Sequence, residues 1–298
     1  MKSTTRRNFL VQSAAVTAAT LVGSSVATSP LAAAPKSASK MSLGLCTYLW
    51  GKDWDLPTVI ANCEKSGCLG VELRTEHAHG VEISLNAAQR KEVRKRFADS
   101  QVEFLGPGCN WQFHEADPAK LKANIEGAKA YLQLSHDCGG SGVKVKPNAL
   151  PKDVPVEKTI EQIGNSLNEV AKFGANLGQQ VRVEVHGKDT SNLPIMKQIF
   201  DVATHPNATI CWNSNGQDLE GEGLEHNFNL VRKRFGNTVH IREMNVGKYP
   251  YKQLMKLFVQ SNYSGWILLE CRTKQEDRVA AMIEQREILE AYIKAATT

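Results

Sequence analysis

Eight short β-rich runs, each followed by a stretch with helical spacing, recur along this 298-residue chain about every 30 residues. The runs are residues 43–48, 69–74, 102–108, 142–147, 181–186, 208–213, 239–243 and 266–270. Strands that alternate with helices predict a parallel sheet, and eight such units fit a (β/α)8 barrel. A doubly wound open sheet is the competing architecture, but no strand is followed by the Gly-rich phosphate loops of such sheets. We therefore predict an α/β fold with a single TIM barrel.

Two helix starts can be predicted from their capping residues. In the first helical interval, Asp55 is a predicted N-cap, Pro57 lies in the first turn and Gly67 ends the helix. In the second interval, Ser84 is the predicted N-cap, and the basic residues after it are expected on a solvated face.

The N-terminal segment has the pattern of a targeting signal. Arg6 and Arg7 precede an apolar, Ala-rich run, which is typical of a twin-arginine export signal. The run is short and rich in Thr, Ser and Gly, so we expect no stable membrane insertion after signal removal; an uncleaved amphipathic anchor is the alternative. We predict a signal with a short linker over residues 1–38, a barrel domain over residues 39–298 and a periplasmic or other extracytoplasmic location.

Charge and cysteine content narrow the class of protein. Removal of residues 1–34 takes away Lys2, Arg6 and Arg7 and no acid, so the formal charge falls from +5 to +2. This balance argues against binding nucleic acid through phosphate neutralisation. The seven cysteines form no CxxC pair, and we interpret most of them as small buried hydrophobes, with a chance disulfide as the alternative. The sequence does not determine the oligomeric state, and a homo-oligomer is one of the alternatives.

Polar and apolar side chains alternate along several predicted strands. In "VRVEVH", valines alternate with Arg182, Glu184 and His186, and if the valines face the helices the polar side chains face the lumen. The same alternation assigns ten further residues to the lumen: Glu72, Arg74, Lys144, Lys146, Cys211, Asn213, His240, Arg242, Glu270 and Arg272. Charges this dense are costly in an apolar shell unless they pair or bind a ligand. Since barrel active sites form at the C-terminal ends of the strands, we predict a catalytic lumen, with a network of structural ion pairs as the alternative.

Four of these residues lie on consecutive strands. Glu184, Asn213, His240 and Glu270 are 29, 27 and 30 residues apart, which is one barrel unit each time. Two carboxylates, an imidazole and an amide oxygen predict a site for Mn²⁺, Mg²⁺, Co²⁺ or Zn²⁺ with open positions for substrate. Such an ion on adjacent oxygens of a sugar acidifies the C–H beside a carbonyl and stabilises the resulting enediolate. Glu184 and Glu270 would then exchange the proton as general base and general acid.

Over essentially residues 43–295 the chain resembles the xylose isomerase-like barrels of the sugar phosphate isomerase/epimerase superfamily. The resemblance is carried by "GVELRTEHAHGVE", "GVKVKPN", "VEVHG", "CWNSN", "VHIREM" and "GWILLEC". It implies that Glu184 and Glu270 bind metal and carry out acid/base chemistry, and that His240 binds metal. The chain departs from the family's pattern at Asn213, where the family has an aspartate, and no histidine follows shortly after it. An amide lacks the carboxylate's charge, so weaker metal binding is expected.

Other polar and aromatic residues near the strand ends complete the candidate site. We assign catalytic roles to His186 and Lys144 beside the two glutamates. The predicted substrate-binding residues are Glu72, Arg74, His77, His79, His114, Lys146, Trp212 and Arg242. For each histidine and for the tryptophan, an ordinary loop or core role is the alternative. Lys144, Lys146 and Arg74 supply positive charge for a phosphate, a carboxylate or the oxyanion of a 3-keto sugar.

The residues favour a metal-dependent carbohydrate isomerase or epimerase that acts through an enediolate on a sugar or keto-sugar. A lyase of the same superfamily needs the same base, metal and oxyanion stabilisation, but expels a neighbouring hydroxyl or glycosidic group. Because of Asn213, a non-catalytic carbohydrate-binding barrel without metal is a third hypothesis. An abasic-site endonuclease is disfavoured by the near-neutral charge of residues 35–298. The expected partner is a small-molecule carbohydrate.

Overall fold

A computed structural model describes residues 40–298, so the predicted twin-arginine signal falls outside the described part of the chain. Eight strands and eight α-helices alternate along these residues. The strands are β1 (Ser42–Cys46), β2 (Gly70–Arg74), β3 (Glu103–Gln112), β4 (Gly142–Lys146), β5 (Gln180–Glu184), β6 (Ala208–Cys211), β7 (Thr238–Ile241) and β8 (Trp266–Leu269). The helices are α1 (Leu56–Ser66), α2 (Ala87–Ala98), α3 (Pro118–Cys138), α4 (Val156–Ala175), α5 (Leu193–Val202), α6 (Gly223–Val231), α7 (Tyr251–Gln260) and α8 (Arg278–Thr297).

The strands are parallel and lie in the order β6-β5-β4-β3-β2-β1-β8-β7. The two end strands meet at a narrow seam, through bridges between Ile210 and Phe235 and between Asn213 and His240. At this seam the His240 N–H donates to the Trp212 carbonyl at 2.7 Å. The sheet therefore curls into the predicted TIM barrel, and the open-sheet alternative is excluded.

The helix starts follow capping chemistry. Asp55 caps α1 by accepting a hydrogen bond from the Thr58 N–H at 2.9 Å, and Gly67 ends the helix with φ 74°, as predicted. The predicted N-cap Ser84 is wrong, because α2 is capped by Asn86. The Asn86 side chain accepts from the Gln89 N–H and the Gln89 side chain accepts from the Asn86 N–H, a reciprocal pair that Ser84 lies too early to form.

The apolar faces of the strands pack against the helices. Val181, Val183 and Val185 are fully buried, and burial of each valine side chain contributes roughly 1.5–3 kcal/mol. All seven cysteines are buried and free of disulfides, which confirms their interpretation as small buried hydrophobes. Within residues 40–298, none of the helices has the length and apolar character that crossing a membrane requires.

Candidate active site

The four predicted metal ligands meet near the C-terminal ends of β5 to β8. Glu184 ends β5, Asn213 follows β6, His240 lies in β7 and Glu270 directly follows β8. All four residues are at most 4% exposed. Candidate ligand atoms of Glu184, His240 and Glu270 lie within 4.8 Å of one another. The regular spacing along the sequence therefore corresponds to one cluster in space.

Asn213 is positioned by Glu184. The Asn213 Nδ2 group donates a hydrogen bond of 2.8 Å to Glu184 Oε1. The Asn213 Oδ1 atom is buried and has no hydrogen-bond partner in the described chain. The amide thus combines two roles that an ionised aspartate could not, since it donates a hydrogen bond to a carboxylate and still presents an oxygen to a ligand.

Glu72 of β2 lies on the other side of the His240 ring. His240 Nε2 is 3.2 Å from Glu72 Oε1, and His240 Nδ1 is 3.8 Å from Glu270 Oε1. Burial opposes a charged imidazole, but the surrounding Cys211 and Glu72 raise the pKa of His240 well above its ordinary value. The Cys46 thiol, whose pKa is raised by burial, donates to Glu72 at 3.6 Å. Glu72 therefore lies beside one ring nitrogen of His240, and the other faces Glu270. Binding of a cation at Nδ1 would displace the proton that these carboxylates favour.

Lys144 of β4 compensates the charge of Glu184. Its Nζ atom lies 2.8 Å from Glu184 Oε2, and both side chains are at most 1% exposed. Burial alone would raise the pKa of Glu184, but Lys144, followed by His240 and His186, holds it below the ordinary value. Glu184 is therefore a carboxylate at neutral pH.

The donor set fits a divalent cation. Asn213 Oδ1, His240 Nδ1 and Glu270 Oε2 are buried and lack hydrogen bonds in residues 40–298, whereas Glu184 Oε2 is paired with Lys144 Nζ. Buried polar atoms nearly always have partners, so three unpartnered atoms in one cluster indicate a ligand site. Carboxylate, amide and imidazole groups suit Mn²⁺, Mg²⁺, Co²⁺ or Zn²⁺. The predicted ligand set is thus compatible with the structure.

His186 is a neutral imidazole beside this cluster. Its Nδ1 atom is 2.7 Å from Asn148 Oδ1, so Nδ1 carries the proton and donates it to the amide oxygen. Burial lowers the pKa of His186 to about 4, although Glu184 acts in the opposite direction. The arrangement leaves Nε2 as the proton acceptor, consistent with the predicted acid/base role.

Arginines and a lysine surround the cluster. Arg272 Nη2 lies 3.8 Å from Glu270 Oε2, and Arg74 Nη2 donates to Asn110 Oδ1 at 3.0 Å. Arg242 is half-buried, and its main-chain N–H donates to the Tyr251 hydroxyl at 3.0 Å. Lys146 is half-buried at the end of β4. The predicted substrate-binding cations therefore lie at the same end of the barrel as the metal ligands.

The position of Trp212 does not support the prediction that it binds substrate. Its ring is fully buried and packs against Phe228 and Phe235, with ring centres 5.8 and 6.0 Å away. Since neighbouring residues of a strand point to opposite faces, Asn213 faces the lumen and Trp212 faces the helices. Trp212 is therefore part of the aromatic core outside the barrel.

Three predicted histidines occupy the loops after β2 and β3. His79 is buried with both ring nitrogens engaged, since Nε2 donates to the Arg74 carbonyl at 2.7 Å and Nδ1 accepts from the Val81 N–H at 3.0 Å. His79 therefore stabilises the conformation of the loop after β2. His77 is half-buried with Nδ1 3.5 Å from Thr47 Oγ1, and burial lowers its pKa. His114 is half-buried and its Nδ1 atom has no partner in the described chain. Substrate contacts of His77 and His114 stay predictions.

Three residues that support the site were not predicted from the sequence. Asn148 holds His186, and Asn215 Nδ2 donates to the carbonyls of Val185 and Asn213 at 2.7 and 3.0 Å. Glu243 Oε1 accepts hydrogen bonds from the main chain after β8, including the Arg272 N–H at 2.9 Å. Each is a polar residue shortly after a strand, which is the only signal that the sequence offers for them.

Comparison with known proteins agrees with this architecture. A profile of the xylose isomerase-like TIM barrel family matches residues 60–292, so the chain belongs to this family. The fold is similar to that of L-ribulose 3-epimerase, at 15% identity and TM-score 0.72, over 85% of this chain and 95% of that chain. It is also similar to a 3-keto-D-glucoside 4-epimerase from E. coli, at 14% identity and TM-score 0.70, over 84% of this chain and 99% of that chain.

A third similar structure is a D-psicose 3-epimerase determined in the presence of D-fructose, at 15% identity and TM-score 0.70, over 86% of this chain and 99% of that chain. At these identities the likeness establishes the fold. Comparison with curated protein sequences gives no match.

Proposed function

We propose that this protein is a carbohydrate isomerase or epimerase that binds a divalent cation and moves a proton at the carbon beside a sugar carbonyl. The observation that carries the proposal is one buried cluster in which Asn213 Oδ1, His240 Nδ1 and Glu270 Oε2 lack hydrogen-bond partners beside the Glu184 carboxylate. The similarity to structures of sugar 3-epimerases and of a keto-glucoside epimerase supports the same class of reaction.

Glu184 and Glu270 are the proposed acid/base pair. When bound, the cation would polarise the sugar carbonyl and stabilise negative charge on its oxygen. Glu184 is ionised and held by Lys144 and Asn213, so it accepts the proton from the carbon. Glu270 comes from a strand separated from β5 by β6 and β7, and it returns the proton from the other side of the sugar.

Lys144 and His186 assist from the same end of the barrel. The Lys144 ammonium, already 2.8 Å from Glu184, stabilises negative charge that develops near that carboxylate. His186 keeps its Nδ1 proton on Asn148, so its Nε2 atom receives or relays a proton from a substrate hydroxyl. Both roles are proposals that rest on these contacts.

The proposal is tested by solvent deuterium exchange. The wild-type protein, loaded in turn with each candidate metal, is incubated in D₂O with a panel of ketoses and 3-keto-glucosides, and deuterium beside the carbonyl is followed by NMR. We expect exchange in the wild type, its loss in Glu184→Gln and Glu270→Gln, and its retention in Glu161→Gln, a matched change at an exposed position of α4.

Other outcomes distinguish the alternatives. Exchange accompanied by release of a hydroxyl or glycosidic group would identify a lyase. Sugar binding that is equal in the four proteins, with no exchange in any, would identify a non-catalytic carbohydrate-binding barrel.

We also propose that the protein is exported by the twin-arginine route to the periplasm or another extracytoplasmic location. The support is the Arg6-Arg7 pair followed by the apolar run. Cell fractionation should recover the wild type outside the cytoplasm and an Arg6→Lys/Arg7→Lys variant inside it. Equal distribution of the two proteins would contradict this location.

A further inference from the structure

Two cations at the C-terminal end of the barrel have no acidic partner. Arg74 ends β2 and Lys146 ends β4, and neither forms an ion pair with a carboxylate of residues 40–298. The neighbouring cations do have partners, because Lys144 pairs with Glu184 and Arg272 lies near Glu270. Neither side chain therefore has a carboxylate within ion-pair distance. Burial opposes the charge of Arg74, and Glu184, Glu72 and Glu270 raise its pKa from beyond that distance.

Arg74 is held rigidly with unsatisfied donors. Its side chain is buried, at 8% exposure of the residue, and its Nε and Nη1 atoms have no hydrogen-bond partner in the described chain. The third nitrogen donates to Asn110 Oδ1 at 3.0 Å. The main chain of Arg74 is fixed on both sides, since its N–H donates to Thr47 Oγ1 at 2.9 Å and its carbonyl accepts from His79 Nε2 at 2.7 Å. Buried donors that lack partners point to a ligand.

Lys146 is influenced by the positive charges of Lys144 and Arg74. Its side chain makes no hydrogen bond within residues 40–298, and burial together with Lys144 and Arg74 lowers its pKa, whereas Glu184 acts in the opposite direction. The Arg74 and Arg272 guanidinium carbons each lie 5.9 Å from the centre of the Tyr48 ring, so these arginines flank one aromatic side chain. Lys144 and Arg74 thus both oppose the charge of Lys146, and an anion bound beside these cations would favour it.

We propose that Arg74 and Lys146 form a subsite for an anionic group of the sugar substrate, either a carboxylate or a phosphate. The substrate would then be a keto-sugar acid or a sugar phosphate, in contrast to the neutral sugars that name the structurally similar epimerases. That the ligand is a keto-sugar rests on the proposed function, whereas the preference for an anion rests on Arg74 and Lys146.

Three ketoses with one carbon skeleton test the subsite. D-fructose, D-fructuronate and D-fructose 6-phosphate differ at C6, which carries a hydroxyl, a carboxylate or a phosphate. Their dissociation constants are measured by calorimetry with the metal-loaded wild type and with Arg74→Gln, Lys146→Met and Lys172→Met. Lys172 is an exposed lysine of α4 and serves as the matched control for removal of one positive charge.

We expect at least one of the two anions to bind the wild type and the control about tenfold more tightly than D-fructose, which is about 1.4 kcal/mol. In Arg74→Gln and Lys146→Met the preference, taken as the ratio of the D-fructose and anion dissociation constants of the same protein, should fall to about threefold or less. A carboxylate preference indicates a sugar acid, and a phosphate preference indicates a sugar phosphate. If Arg74→Gln fails to fold, as judged by circular dichroism, the half-buried Lys146→Met variant decides the result.

The subsite is overturned if the wild type binds the three ketoses equally, binds neither anion measurably, or keeps its full preference in the folded variants. Failure of the proposed function is distinguishable. Anion preference without deuterium exchange would keep the subsite and reject the isomerase, and exchange on neutral ketoses without anion preference would do the reverse.

Discussion

Lys144 and Glu184 form an ion pair of 2.8 Å on adjacent strands, with both side chains shielded from solvent. A buried ion pair gives little net stability, but removal of one partner leaves a buried charge without compensation. The Lys144 ammonium and a bound cation would each place a positive charge beside the Glu184 carboxylate. The stability of the protein should therefore depend on both of them together.

Replacement of Lys144 by methionine should destabilise the metal-free protein by about 3–5 kcal/mol, because Glu184 loses its only ion-pair partner in the described chain. Saturating metal should recover a large part of that loss, since the cation compensates the carboxylate. Urea unfolding with and without metal measures both quantities. Lys172→Met should change stability by about 0.5 kcal/mol or less. A loss of equal size with and without metal would show that Glu184 is not a ligand.

Asn213→Asp should have opposite effects on the two forms of the protein. Without metal, a carboxylate would replace the amide that donates to Glu184 at 2.8 Å, and we expect a loss of about 1–3 kcal/mol. With metal, the added charge should raise the affinity for Mn²⁺ about tenfold, or about 1.4 kcal/mol. Thermal unfolding and Mn²⁺ titration test the two effects separately. Unchanged Mn²⁺ affinity would place Asn213 outside the ligand set.

Glu72→Gln should weaken metal binding without removing any proposed ligand. Glu72 lies 3.2 Å from His240 Nε2 and orients the ring, and loss of such an outer carboxylate typically costs about 10–100-fold in metal affinity. Titration with Zn²⁺ measures the effect, and Glu161→Gln serves as the control. Wild-type affinity in Glu72→Gln would mean that packing alone holds the His240 ring.

Asp218, in the one-turn helix Gly216–Leu219 after β6, should make stability depend on pH. Burial raises the pKa of Asp218 to about 7, although the Tyr249 hydroxyl and the Asn215 N–H donate to its Oδ2 atom at 2.5 and 2.9 Å. An acid whose pKa is raised by folding stabilises the fold below its unfolded pKa, and this contribution is lost as the pH rises through about 7.

Asp218→Asn removes that titration. The difference in unfolding free energy between wild type and variant should favour the wild type most at pH 4 and shift toward the variant by up to about 4 kcal/mol at pH 8. Urea unfolding over this range gives the difference at each pH. Parallel curves would show that folding leaves the pKa of Asp218 unchanged.

The repeat of eight strand-helix units predicted the barrel, and the alternation of side chains along β5 predicted the two faces of that strand. The valines of β5 pack against the helices while Glu184 reaches the candidate site, as "VRVEVH" predicts. The spacing of one unit between Glu184, Asn213, His240 and Glu270 brought these four residues together, because consecutive strands of a barrel are neighbours in space.

Depth along the barrel was not predictable from alternation. Arg182 shares a face with Glu184, but it donates to the Leu105 carbonyl at 2.8 Å and to Ser141 Oγ at 2.7 Å, near the N-terminal side of the strands. Arg182 therefore stabilises the N-terminal end of the barrel, opposite the candidate site. Supporting contacts such as Asn148 with His186 depend on loop conformation, which the sequence pattern does not contain.

The narrow seam between β6 and β7 runs through the candidate site, since one of its two bridges joins Asn213 to His240. A cation held by both side chains would link β6 and β7, the two strands that close the barrel through these isolated bridges. Local opening that separates β6 from β7 would then require the cation to dissociate first. Opening of the barrel would then be coupled to release of the cation. Hydrogen exchange of the backbone amides between β6 and β7 would therefore slow when the cation is bound.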